Sequence, residues 1–153
     1  MAVLRSEDED IVSSIEFSLG NVKLISDQKW QEFRLKLTSG NQEIELGSTS
    51  TNSEFLICRQ PKDELVLFIS ALEKVANGTQ KSFSFEPSEP SFELNISALG
   101  DEQGYKVEAW LDAGNATTGI YRWDAIGVRF HTVKKYLDLF IGQLKAQLQP
   151  AKI

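Results

Sequence analysis

Leu65-Val66-Leu67-Phe68-Ile69-Ser70-Ala71-Leu72 recurs as Leu137-Asp138-Leu139-Phe140-Ile141-Gly142-Gln143-Leu144, with five of eight positions identical at an offset of 72. The apolar residues of both runs fall at helical spacing, so each reads as one amphipathic helix. The same offset sets Gly47 against Gly119, and Phe33-Arg34-Leu35 against Tyr105-Lys106-Val107. In each half, several segments of alternating apolar and polar residues lead into the helix. The chain therefore reads as two pseudo-repeats, about 11–78 and 79–149, inside a single domain spanning 11–153.

Working outward from the helices, Phe33, Leu35 and Leu37 alternate with Glu32, Arg34 and Lys36. Ser39-Gly40-Asn41 then turns the chain toward Ile44 and Leu46, the pattern of a hairpin. Ile11, Ile15, Phe17 and Leu19 mark an earlier strand, and Glu54–Arg59 a later one beyond the Ser/Thr/Asn-rich loop Gly47–Ser53. The first helix opens at Pro61, with Asp63 and Glu64 where the helix dipole favours negative charge. Its stripe is Leu65, Phe68, Ile69, Leu72 and Ala76, and Asn77-Gly78 supplies a left-handed stop. In the second half Phe83 and Phe85 alternate with serines, and Phe92, Leu94, Ile96 and Ala98 with Glu93, Asn95 and Ser97. Tyr105, Val107, Ala109 and Leu111 form the apolar side of the next strand, and Ile126, Val128 and Phe130 close the last one. Thr132 reads as the N-cap of a helix with the stripe Val133, Tyr136, Leu137, Phe140, Ile141, Leu144 and Leu148.

Clean alternation gives each strand one buried and one wet face, the antiparallel pattern. The expectation is a two-layer α+β domain: an antiparallel sheet of about eight strands with two helices on one face. A β-sandwich with helices at its ends is the competing architecture. Residues 1–10, which include Glu7-Asp8-Glu9-Asp10, are expected to be a flexible acidic N-terminus.

The 153 residues suffice to bury roughly two-thirds of the unfolded surface. Acidic residues outnumber basic ones 22 to 16, for a net charge of −6. That balance argues against nucleic acid, whose recognition needs clustered Lys and Arg, and suits a basic protein partner. Cys58 is the only cysteine, so no intramolecular disulfide can form. Met1–Leu4 followed by Arg5 and an acidic run lacks the layout of a signal peptide, and no apolar stretch approaches a membrane span. A cytoplasmic protein with no membrane partner is expected.

Residues that could carry chemistry have simpler readings. One His and one Cys cannot build a Cys/His zinc site. His131, just before the last helix, reads as a capping or surface residue, and Cys58 as a small packing residue. No Gly-x-Ser-x-Gly elbow anchors a catalytic serine. Gly114–Gly119 has the glycine spacing of a phosphate loop, but Ile120-Tyr121 stand where Lys-Ser/Thr is required. Glu43 with Glu45, and Glu108 with Asp112, point to common sides of strands as acid–base or cation-binding pairs would, yet they read as solubility charges. No catalytic, cofactor or metal site is expected, and the chain does not read as an enzyme.

The tryptophans carry the functional signal. Trp30 is in phase with Glu32, Arg34 and Lys36, Trp110 with Lys106 and Glu108, and Trp123 with Tyr121 and Arg129. Period two thus puts all three on the polar sides of their strands. Aromatics interleaved with Arg are the composition of interface hot spots. Trp30, Arg34, Trp110, Tyr121, Trp123 and Arg129 are the candidate partner-binding residues. Otherwise loops or twist cover the rings, or they form cross-strand pairs, and one bulge would turn a tryptophan inward.

The segment FEPSEPSFEL, Phe85–Leu94, together with the helix end Val75-Ala76-Asn77-Gly78, resembles the WapI-like immunity proteins of bacterial polymorphic and contact-dependent toxin systems. Their layout of strand, helix and glycine, an x-Glu-Pro turn, a Phe-Glu-Leu-like strand, and a closing strand and helix covers the chain from about Trp30. Ser48–Ser53 and Glu7–Asp10 match nothing in that family. The resemblance implies a non-enzymatic protein that neutralises a cognate toxin by binding it, acidic side chains complementing a basic toxin domain. The alternative is a small-ligand module with a cavity between sheet and helices lined by Phe83, Phe85 and Phe92. The seven apolar stripe positions of the last helix favour core filling over such a cavity.

Overall fold

Phe17, Phe33, Phe68 and Phe92 are drawn from four separate segments of alternating or helical sequence, and burying them together decides how those segments assemble. The computed structural model describes residues 1–46, 54–57, 64–87, 91–100, 104–117 and 123–148. Five strands come first: β1 (Ala2–Arg5), β2 (Ser13–Ile25), β3 (Gln28–Ser39), β4 (Gln42–Leu46) and β5 (Glu54–Ile57). Helix α1 (Glu64–Ala76) follows, then β6 (Ser82–Phe85), β7 (Phe92–Ala98), β8 (Gly104–Asp112) and a short helix, α2 (Ala113–Thr117). Strand β9 (Ala125–Val133) leads into α3 (Lys134–Leu148).

The class is α+β and every strand pair is antiparallel, as the alternation required. The strands divide into two sheets, however, where one was expected. The first runs β1-β2-β3-β4 with β5 also paired to β3; the second runs β6-β7-β8-β9. Alternation states that a strand has one dry face, but not which sheet it joins. β1–β4 and β6–β9 are meanders in chain order, β5 returns to β3, and each sheet is followed by one long helix.

The inner faces meet in one core. Phe17 and Phe33 stack at 5.4 Å between ring centroids, and Phe92 of the second sheet meets Phe33 edge-on at the same distance. Phe68 of α1 joins them 6.1 Å from Phe17. Leu65, Phe68, Ile69, Leu72 and Ala76 of α1 and Leu137, Phe140, Ile141 and Leu144 of α3 are all buried, whereas at the ends of the α3 stripe Val133 belongs to β9, Tyr136 is half-buried and Leu148 is exposed. Gly78 closes the α1 end at φ 81, and Lys145 of α3 pairs with Glu73 of α1 at 2.9 Å.

Four expectations change. Residues 2–5 of the supposed flexible N-terminus form β1, with Ala2 and Leu4 fully buried and Val3 N–H bonded to Gln143 Oε1 at 2.8 Å. Two inward residues are too short a pattern to register as period two; only Glu7–Asp10 remain an exposed acidic turn. Ile11 lies outside β2 and is exposed. Thr132 does not cap α3: buried at the end of β9, it donates its hydroxyl hydrogen bond to Arg5 O at 2.6 Å, fastening β9 to β1. Finally, β2 slips register by a bulge between Leu19 and Val22. Gln31 Nε2 satisfies the Gly20 carbonyl there at 2.9 Å. Cys58, Pro61, Asp63 and the loop Gly47–Ser53 lie outside the described residues.

Candidate protein interface

Register fixes the outer face of the second sheet. Glu93 stands opposite Trp110 and Trp110 opposite Gly127; the next row is Asn95, Glu108 and Arg129, and the one after is Ser97, Lys106 and His131. Directly paired residues share a face, so these side chains point away from the face that sends Leu94, Val107 and Phe130 into the core.

Trp110 lies on Gly127. A β-carbon at 127 would stand 2.7 Å from Trp110 Cε3 and 2.1 Å from the Ala109 carbonyl oxygen. Glycine alone lets strand and indole approach so closely, and the ring covers the backbone that glycine leaves bare. Trp110 is half-buried as a result.

Trp123 is 80% exposed and sits in a bend before β9, not in phase with Arg129 along the strand. Its φ of 73 is left-handed, a conformation a bulky residue holds only when its surroundings impose it, at about 1–3 kcal/mol. Asp112, 5% exposed at the end of β8, supplies the constraint: its Oδ1 accepts the Trp123 N–H at 2.7 Å. The neighbouring Ala113 N–H donates to Asp124 O at 2.5 Å, and Asp112 N–H donates to Ser91 O at 2.8 Å. The ends of β7, β8 and β9 are thereby laced together, and Trp123 is held outward. Asp112 has a structural duty and is no partner for Glu108, which pairs instead with Lys106 at 3.2 Å.

Trp110 and Trp123 border one groove of about 100 Å³, with Phe92, Glu86, Glu93 and Asp112 also lining it. That is well below the roughly 300–1,000 Å³ of small-molecule sites. Arg129 is exposed on the same sheet and makes no ion pair among the described residues.

The six candidate residues do not form one patch. Trp30 and Arg34 lie on β3 of the first sheet, Trp30 half-buried in register with Lys23 and Ile57, and Arg34 exposed. Tyr121 lies outside the described residues. Period two assigned the correct side of β3 and β8 but could not show that these strands belong to different sheets. The roles of Gly127 and Asp112 were missed; a glycine amid the alternating Ile126, Val128 and Phe130 was the available signal for the former.

The remaining candidates have ordinary partners. On the first sheet Lys36 reaches Glu16 at 3.0 Å and Glu43 at 3.8 Å. The hydrogen bond to Glu16, then the charges of Glu16 and Glu43, raise its pKa. His131 is exposed within β9, and its carbonyl accepts the Glu7 N–H at 2.9 Å. Phe85 lies 4.8 Å from Phe68 and 5.7 Å from Phe92, and Phe83 lies 5.9 Å from Phe68, so the rings pack together where a cavity was the alternative. Among the described residues no group of three His, Cys, Asp or Glu is placed to hold a metal ion, and no helix is long and apolar enough to cross a membrane.

A model of the immunity protein WapI-like family matches residues 10–151. No curated protein matches the chain. Among solved structures, the plant transcriptional regulator PBF-2 is similar, at 9% identity and a TM-score of 0.42, over 95% of this chain and 80% of that one.

Proposed function

The chain belongs to the WapI-like immunity protein family, and on that premise we propose that it binds a cognate bacterial toxin and blocks it by coverage, without chemistry of its own. The observation that carries this reading is Trp123, 80% exposed and pinned outward by buried Asp112 next to Trp110. An exposed aromatic whose backbone is fixed before contact loses apolar exposure on docking while giving up little backbone entropy. The proposed contact surface is the outer face of the second sheet, centred on Trp110 and Trp123 and flanked by Arg129. Trp30 and Arg34, on the other sheet, would contact only a partner that reaches around the molecule. The net charge of −6 suits a basic toxin domain and would speed their encounter. The proposed place of action is the cytoplasm.

Co-expression with the toxin encoded beside its gene tests this reading. Growth should be restored, the two chains should co-elute, and toxin activity should vanish at one equivalent of this protein. Inactivation by far less than one equivalent, or rescue with no complex formed, would overturn it.

A further inference from the structure

The groove between Trp110 and Trp123 has its own chemistry, and we propose that it receives one arginine side chain of the partner. This rests on the interface reading above and names what that interface recognises. Among the described residues two indoles border the groove, and three carboxylates (Glu86, Glu93 and Asp112) but no Lys or Arg line it. Glu93 accepts only a neutral hydrogen bond, from Asn95 Nδ2 at 3.0 Å, and neither Glu86 nor Glu93 forms an ion pair among the described residues.

Aromatic faces with carboxylates are the arrangement that holds an organic cation. The volume of about 100 Å³ admits one side-chain head rather than a drug-sized molecule. Guanidinium fits better than ammonium. It is planar, stacks on indole, and keeps its edge N–H groups free for carboxylate oxygens. A basic toxin would offer arginine in abundance, so overall charge steers the encounter and the groove reads the contact.

The test uses the full chain, ¹⁵N-labelled, and follows its three tryptophan indole N–H signals. The probe is acetyl-Gly-Gly-Arg-Gly-Gly-amide, and the control is the same peptide with citrulline, isosteric but uncharged. Saturable shifts of Trp110 and Trp123 are expected while Trp30, on the other sheet, stays still. Citrulline should bind about tenfold more weakly. Glu93→Gln should weaken the arginine peptide several-fold, and Trp123→Ala should abolish its effect with the rest of the spectrum unchanged. Equal binding of both peptides, movement of Trp30 with the others, or no shift at millimolar peptide would each overturn the assignment. If the peptide fails while the toxin itself still shifts Trp110 and Trp123, the arginine assignment falls and the interface stands. If the toxin moves neither signal, both fall.

Discussion

Gly127 is a glycine because Trp110 lies across it. Alanine there would drive a β-carbon against the Ala109 carbonyl, contact that only a shift of backbone could relieve. Gly127→Ala should therefore lose about 1–3 kcal/mol in urea unfolding and lift Trp110 off the strand, seen as a change in its fluorescence. The two tryptophans should respond differently to truncation. Trp123→Ala should leave stability within about 0.5 kcal/mol, since the ring touches little, yet weaken toxin binding by ~2 kcal/mol or more. Trp110→Ala should weaken binding equally but also cost about 1 kcal/mol of stability, because it uncovers Gly127. Loss of stability in both variants with affinity intact would remove both from the interface. Tyr105 gives a pH test. Burial, the largest cause, raises its phenol pKa above the ordinary 10.0. Its stabilising effect is thus present below that value and is lost as pH rises through the folded pKa, where the unfolded chain ionises more readily. Tyr105→Phe should flatten the fall in stability between about pH 9 and 11 by the tyrosine's share; an unchanged slope would contradict this. Such residue-level duties were only partly legible. Alternation gave Trp110 its side, but the exposure of Trp123 comes from a left-handed bend fixed by Asp112, a contact between ends of different strands.

At the level of elements, the helices were read most fully because 3.6-residue periodicity is local and long. Phe68 and Phe140 occupy matching stripe positions and are both buried. Phe68→Ala and Phe140→Ala should each cost about 3–5 kcal/mol in thermal or chemical unfolding. Unchanged melting in either would contradict the packing described. What α3 does beyond filling the core was invisible in its stripe. Gln143 bonds Val3, and Gln147 accepts the Leu19 N–H at 2.9 Å and donates to Phe17 O at 3.2 Å. Gln147 thus occupies the edge of β2 as a further strand residue would, where β1 has ended. Two polar residues on a helix surface give no hint of that until the strand edge is beside them. The bulge in β2 did leave a trace. Apolar positions move from odd to even numbers across Gly20-Asn21, from Leu19 to Val22 and Leu24. Beyond it Val22 and Leu24 are exposed and the hairpin closes through Ser26 and Asp27, both at positive φ.

For the whole molecule, the offset of 72 places β3 over β8, β5 over β9 and α1 over α3. If the halves are duplicated units, residues 30–77 and 102–149 should superpose with equivalent inward residues; different helix placement on the two sheets would reduce the repeat to shared amphipathic design. The α+β class and antiparallel pairing followed from the alternating pattern. The division into two sheets did not, because it depends on which strands find each other across long loops. That division separates Trp30 and Arg34 from Trp110, Trp123 and Arg129, and it leaves the molecule with two outer faces of similar composition. Which of them meets the proposed toxin partner is best decided by hydrogen exchange on the free protein and in the presence of that toxin. Binding should slow exchange in 104–112 and 123–131 while 28–39 exchanges as before. Protection confined to 28–39, with the β8–β9 face unchanged, would put the interface on the wrong sheet.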